Sequence, residues 1–299
     1  MYRFATLAAA AGALSCLCSW SMPAAAQSAE EEVAKQTARL ISDAISKRVG
    51  EDVGVVYAAP GTQGMATENG ELLNTAWGTL TYSRITAENG GFAGGGSGID
   101  IFLGTVGYDH RFDAFIPGIS VTGSTAGLDQ ISGSSDTATI SPYLGYVIND
   151  WFFLNALVGL SLGNSDFGGF DSDSTGVFTE EDANAVWRDG NWLATGKVGH
   201  RYRHTTSHAD GFGSTDSDAN TMLAGGKVGY KIDTVRPYIG AQYEYNFNID
   251  AENKDFVYLL IGFAMDAAPD FTMDLSAEAE VLDEDTNSFS VTWQGRYKF

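Results

Sequence analysis

Cysteine is almost missing from this chain: Cys16 and Cys18 are the only two in 299 residues. Both fall in an N-terminal leader, where Arg3 precedes the apolar run Phe4 to Leu17 and the small-residue triplet Ala24-Ala25-Ala26 offers a cleavage site. The mature chain is therefore expected to begin at Gln27 without thiol, disulfide or cysteine-bound metal. A lipoprotein leader fits poorly around Leu14-Ser15-Cys16 or Cys16-Leu17-Cys18. Long apolar runs are missing too. None approaches the roughly 18 residues that a membrane-spanning helix needs, and the longest, Phe256 to Ala268, is broken by Gly262 and Asp266. A helical integral membrane protein is thereby excluded. Basic residues are scarce, with 17 Lys+Arg against 38 Asp+Glu and a net charge of −21. That balance argues against nucleic acid as a partner, since phosphate binding needs basic surface.

What is present falls into three regions: a leader over 1–26, a helix with a linker over 27–73, and a strand-rich region over 74–299. Ser28 to Val49 reads as an amphipathic helix with Val33, Thr37, Leu40, Ile41 and Ala44 on one stripe and Gly50 just past its end. Glu30, Glu31 and Glu32 at its start and Lys47 and Arg48 at its end complement the helix dipole. Glu51 to Leu73 carries Pro60, Gly61, Gly64 and Gly70 with no sustained period and reads as a linker.

From Asn74 onward, apolar and polar residues alternate with period two. In the last segment Phe289, Val291, Trp293, Gly295, Tyr297 and Phe299 share one face, and Ser290, Thr292, Gln294, Arg296 and Lys298 share the other. The split recurs in Phe271 to Val281, Pro237 to Phe247, Met222 to Tyr230 and Trp192 to Tyr202. The predicted strands are 74–87, 97–111, 114–126, 135–147, 150–165, 174–188, 190–206, 219–232, 235–248, 254–266, 270–283 and 287–299. The sixth rests on the Asp189-Gly190 hairpin signal and on the even strand number a bacterial barrel requires. Short links (Asn149-Asp150, Asp189-Gly190, Asp233-Thr234) then alternate with longer Gly-rich, acidic ones.

Period two alone also fits a soluble sandwich or barrel. Segment length decides for the membrane, because strands of about 12 to 15 residues exceed the usual five or six and match a tilted bilayer span. Aromatic residues near strand ends on the apolar face resemble an aromatic girdle. The fold class expected is all-β, a twelve-stranded antiparallel transmembrane barrel. Its polar face would line the lumen with Lys197, Arg201, Arg203, Lys227, Lys231 and Arg236 on strands seven to nine. Glu244 follows on strand nine, Asp274, Glu278 and Glu280 on strand eleven, and Arg296 on strand twelve. The wall would then be polarised across its diameter, with paired charges facing water.

Candidate chemistry is thin. His200, His204 and His208 share the parity of Trp192 and Tyr202, which clusters them at the outer rim with no converging further ligand for a metal. Ser207 lies beside them without a nucleophile elbow. Asp171 to Asp182 partly matches a calcium-loop spacing, with Thr175 where an acidic or amide ligand belongs. Gly90-Gly91 and Gly94 to Gly96 look like an external loop, and no helix follows to form a phosphate cradle. The acidic positions Asp129, Asp136, Asp171, Asp173, Asp216, Asp218, Asp283 and Asp285 are expected on outer loops, engaging divalent cations that bridge to lipopolysaccharide phosphates.

In order along the chain stand Ala76-Trp77-Gly78, a strand from Gly104 ending Gly107-Tyr108-Asp109, Pro142 to Tyr146, Pro237 to Gly240, and the terminal Tyr297-Lys298-Phe299. Through these, Ser28 to Phe299 resembles the translocator β-domain of autotransporters, a twelve-stranded outer-membrane barrel with a helix threaded through its pore. The resemblance implies that Ser28 to Val49 is the pore helix. It also implies that Trp293, Tyr297 and Phe299 belong to a signal read by the barrel-assembly machinery. With under fifty residues between leader and first strand, a plug without a passenger domain is expected. The chain is expected in the cell outer membrane as a monomer among lipid and lipopolysaccharide, delivered by periplasmic chaperones, with no cofactor and no enzymatic activity. It would be a structural component or a translocator of its own short N-terminus; a porin-like solute channel and a barrel hydrolase are the alternatives.

Overall fold

The computed structural model describes residues 29–50, 73–87, 97–129, 132–167, 170–209, 213–247, 254–281 and 286–299. The leader and the 51–72 linker lie outside the described residues. One helix, α1 (29–50), precedes twelve strands. These are β1 (Leu73–Ala87), β2 (Ser97–Arg111), β3 (Phe115–Leu128), β4 (Gly133–Asn149), β5 (Phe152–Phe167) and β6 (Phe170–Asp189). They continue as β7 (Trp192–Ala209), β8 (Gly213–Tyr230), β9 (Val235–Asn246), β10 (Asp255–Ala268), β11 (Phe271–Glu280) and β12 (Thr286–Lys298). Each strand pairs with its sequence neighbours, and β12 returns to β1 in register from Thr75 with Lys298 to Ala87 with Thr286, closing the barrel. Closure matters because an open edge in hydrocarbon leaves backbone groups without partners, at several kcal/mol each by a rough reckoning.

Tight turns at 113–114, 190–191 and 233–234 gather at one end, and Asp113, Gly190 and Asp233 there adopt the left-handed φ of 51°, 56° and 55°. Asp and Gly accept that conformation at little cost, which is why they stand at these corners. The start of β1 and Phe299 lie at the same end, so this mouth faces the periplasm, where bacterial barrels keep short turns and termini. Strand lengths depart from expectation on the other side. β6 has 20 residues and β7 and β8 have 18 each. The connection between β5 and β6 shrinks accordingly to 168–169.

The outward face is apolar: Leu80, Phe102, Val106, Leu160, Leu162, Ile239 and Ile261 are all more than half exposed. In water such a surface would be untenable, and it exceeds the patches that soluble monomers show. With Tyr108, Trp151, Trp187, Trp192 and Tyr297 ringing the periplasmic end, this is an outer-membrane barrel.

The C-terminus closes that ring. Phe299 and Asn74 exchange backbone hydrogen bonds of 3.0 and 3.1 Å, and the Phe299 ring stacks on Tyr297 at 5.9 Å and reaches Tyr108 at 6.5 Å. Phe299→Ala, or loss of Phe299, should lower assembled protein in the outer membrane and raise periplasmic degradation. Lys298→Ala, facing the lumen, should be milder. Heat-modifiability gels on membrane fractions check this, and equal accumulation of the two variants would be the contrary result.

Candidate functional site: the pore and its helix

Helix α1 lies inside the lumen with a definite polarity. Near its start, the Glu30 carboxylate accepts from Ser165 at 3.2 Å and from Ser172 at 3.2 Å, beside the outer hairpin of β5 and β6. Ser217, near the outer end of β8, donates to Glu31 at 2.6 Å, and Arg203 donates to the Glu31 carbonyl at 2.9 Å. Near its end, Arg48 meets Asp109 at 2.5 Å, two residues from the periplasmic end of β2. The helix therefore runs from the outer mouth inward. Gly50 is its last residue rather than the position past it.

The expected apolar stripe is only part of the packing. Leu40, Ile41, Ala44, Ile45 and Val49 pack on Trp77, Leu103, Ile116, Tyr143, Phe153 and Phe178 of the inner wall. Toward the outer mouth, Ala29 and Val33 join Ile85, Ile99 and Ile101. The lumen is thus not polar throughout: β1 to β6 present an apolar seat. Aromatic rings fit into that seat because glycines lie opposite them. Trp77 pairs with Gly107 and Tyr143 with Gly118. A Cβ at Gly107 would come within 2.3 Å of the Trp77 ring, and one at Gly118 within 2.2 Å of Tyr143. Each ring lies over the neighbouring strand where only hydrogen leaves room.

Beneath this seat lies a buried polar chain. Trp77 Nε1 donates to the Tyr143 hydroxyl at 2.8 Å, that hydroxyl donates to Asp109 at 2.8 Å, and Arg48 occupies the other carboxylate oxygen. Arg48 and Asp109 are 0% and 1% exposed. Charges removed from water to that degree persist only when paired and hydrogen-bonded.

The opposite face of α1 meets the charged wall. Lys197 donates to Asp43 at 2.7 Å, Arg39 meets Glu278 at 2.5 Å and stacks over Tyr258 at 4.1 Å, and Lys47 pairs with Asp274. Asp274 also accepts from Tyr238 at 2.8 Å. Arg201 donates to Glu180 at 2.6 Å and lies 3.6 Å from Glu244. Ser46 donates to Asp182 and accepts from Asn155 at 3.2 Å. Arg296 donates to Thr272 at 3.0 Å, Lys227 sits 5.1 Å over the Tyr238 ring, and Lys231 reaches Asp266 at 3.2 Å at the periplasmic rim. The expected polarisation across the diameter is modified by the helix, whose charges alternate to meet it. Between α1 and the β7 to β12 wall a cavity of about 240 Å³ remains, lined in part by Lys47, Lys227, Arg236, Asp274 and Arg296.

Sequence reading missed Asp109, Tyr143, Phe153, Phe178, Glu180 and Asp182 as parts of this site. A signal existed in Phe152-Phe153-Leu154, an unbroken apolar run where strict alternation would put a polar residue inside.

Several expectations are corrected. Asp171 to Asp182 lies within β6, whose extended backbone cannot wrap a calcium ion as a loop does. Asp136, Asp171, Asp173, Asp216 and Asp218 stand on strands that project past the membrane rather than on loops, while Asp129 directly follows β3 and pairs with Arg84. Asp283 and Asp285, and the glycines at 90–96, lie outside the described residues. The three histidines point outward and have separate neighbours: His200 near Glu181 at 3.8 Å, His204 on Asp218 at 2.9 Å, His208 on Ser214 at 3.1 Å. Ser207 occupies the opposite parity on β7 and so faces away from His204 and His208, so these residues do not form a serine–histidine pair.

No protein-family model and no curated protein matches this chain by sequence. Solved structures do match its fold. The β domain of the Bordetella autotransporter BrkA is similar with a TM-score of 0.61 and 14% identity, over 75% of this chain and 98% of that one. The translocator domain of the autotransporter NalP from Neisseria meningitidis gives 0.57 and 15%, over 86% and 97%. The chain shares the fold of these translocator domains.

Proposed function

From that shared fold, we propose that this barrel carries its own N-terminal segment across the outer membrane and is then stoppered by α1, without catalysing a reaction. The helix polarity carries the reading: Glu30 sits at the outer mouth and Arg48 toward the periplasmic one. A plug inserted from the periplasm with no export step has no need of this direction. A translocated segment requires it, because its leading end must emerge outside while its trailing end stays joined to β1. An epitope placed directly before residue 29 should be reached by antibody and by added protease on intact cells. Protection in intact cells, with exposure only after the outer membrane is opened, would overturn the proposal.

The cavity of about 240 Å³ beside the helix favours a second reading, a small-solute channel. It predicts solute uptake with α1 in place, whereas a stoppered translocator should leak little until the helix is removed.

A further inference from the structure

The outward face of β6 and β7 interrupts the apolar belt. Glu181 and His200 are register partners, 3.8 Å apart, with side chains 65% and 39% exposed on the lipid side. Their depth follows from strand geometry. His200 stands eight positions beyond Trp192 of the periplasmic ring, about 20 Å up a band about 25 Å tall, at about 3.3 Å per residue and a tilt near 40°.

Directly above them the outward positions are polar, Thr179 on β6, Tyr202 on β7 and Asn220 on β8, with Tyr202 donating to Asp218 at 2.8 Å, and apolar side chains flank this strip on both sides. On β5, Ala156 pairs with Glu181, and Leu160 and Leu162 lie further toward the outer mouth, 53% and 68% exposed. On the other flank His200 pairs with Met222, and beyond Met222 the backbone of Phe247, itself exposed, bonds to Asn220. The Arg84, Asp100 and Asp129 cluster differs, standing at the outer rim beside the ends of its strands. Glu181 and His200 therefore stand at the outer edge of the apolar belt, flanked by apolar side chains, where ionisable groups are costly and mark contacts. Below them the outward positions Ala183, Ala185, Ala194 and Gly196 are small around the exposed Val198, so another surface can come close and pack on that side chain.

We propose that a second copy of this chain packs on the β6 and β7 face about a two-fold axis along the membrane normal. That axis keeps every residue at its own height and exchanges left for right. The two residues lie side by side on neighbouring strands, so Glu181 of each copy comes to face His200 of the other, and both are covered. The patch is self-complementary in hydrogen bonding, a carboxylate facing an imidazole, which a lipid acyl chain cannot match. This departs from the monomer expected from sequence.

Fluorescently labelled full-length protein, folded into phosphatidylcholine vesicles at high lipid-to-protein ratio, provides the test through bleaching-step counts and intermolecular energy transfer. Two-step bleaching is expected for the unsubstituted protein. Glu181→Gln and His200→Gln should each reduce the dimer fraction several-fold, and the exchange Glu181→His with His200→Glu should restore it. Ala194→Trp should abolish the dimer while the heat-modifiable folded band persists, which separates lost association from lost folding. Single-step bleaching of the unsubstituted protein, transfer unchanged by all these substitutions, or failure of the exchange to restore it would overturn the proposal.

Discussion

Removing residues 28–49 should turn a pore that conducts weakly into one that conducts freely, with single-channel conductance in planar bilayers rising at least several-fold. A helix with its side chains is about 10 to 12 Å across, enough to fill most of a twelve-stranded lumen. The structure adds that α1 is seated rather than loosely held, with Ile41, Ile45 and Val49 buried in one wall and Asp43 and Lys47 paired with the other. The strand ladder does not depend on those contacts, since every strand is paired on both sides by its neighbours. The deletion variant should therefore remain a closed, heat-modifiable barrel, though a less stable one because its aromatic seat is left open to water. Equal conductance of the two proteins would show that current bypasses the helix.

Arg48→Ala is expected to produce the largest loss of stability from a single substitution, about 3 to 5 kcal/mol, because it removes the guanidinium that neutralises the buried Asp109 carboxylate. Asp109 keeps its hydrogen bond from Tyr143, which does not neutralise the carboxylate. The double variant Arg48→Ala with Asp109→Ala should recover part of that loss, the recovery measuring the coupling between them. Tyr143→Phe removes the link between Trp77 and Asp109 and should cost less, about 1 to 3 kcal/mol. Urea unfolding of the barrel in lipid vesicles measures all three against the unsubstituted protein. If the double variant is no more stable than Arg48→Ala, the carboxylate is not the group that suffers when the arginine is lost.

The barrel was legible because lipid on one side and a lumen on the other force opposite chemistry onto alternate residues. Even β6, argued from the turn at Asp189-Gly190 and from parity, is found where expected, with a longer outer end than expected. The outer ends were less legible because above the membrane both faces meet water. Asp171 and Asp173 then look like a loop although they continue a strand. The pore site was half legible. Charges such as Lys197, Arg201 and Glu278 announce the lumen by parity, but parity cannot say which partner each meets across the pore. Nor does alternation mark an inward aromatic: Trp77 and Tyr143 sit at lumen positions that the expected polar wall would give to polar side chains. Only the helix they hold explains them.

The direction of α1 also settles how it can leave. Its outer end leads back toward the chain's start, and its inner end is tied through residues 51–72 to the first strand, as a thread passes through an eye. No broken contact releases such a segment. The tie is 22 residues long and so reaches no more than about 75 Å even when fully extended. A tether of that kind keeps the local concentration of α1 at the pore near the millimolar range, by the usual order-of-magnitude reckoning. Variants that weaken its seat should consequently flicker between blocked and conducting levels in single-channel records, and only a cut in the chain should give a lasting open state.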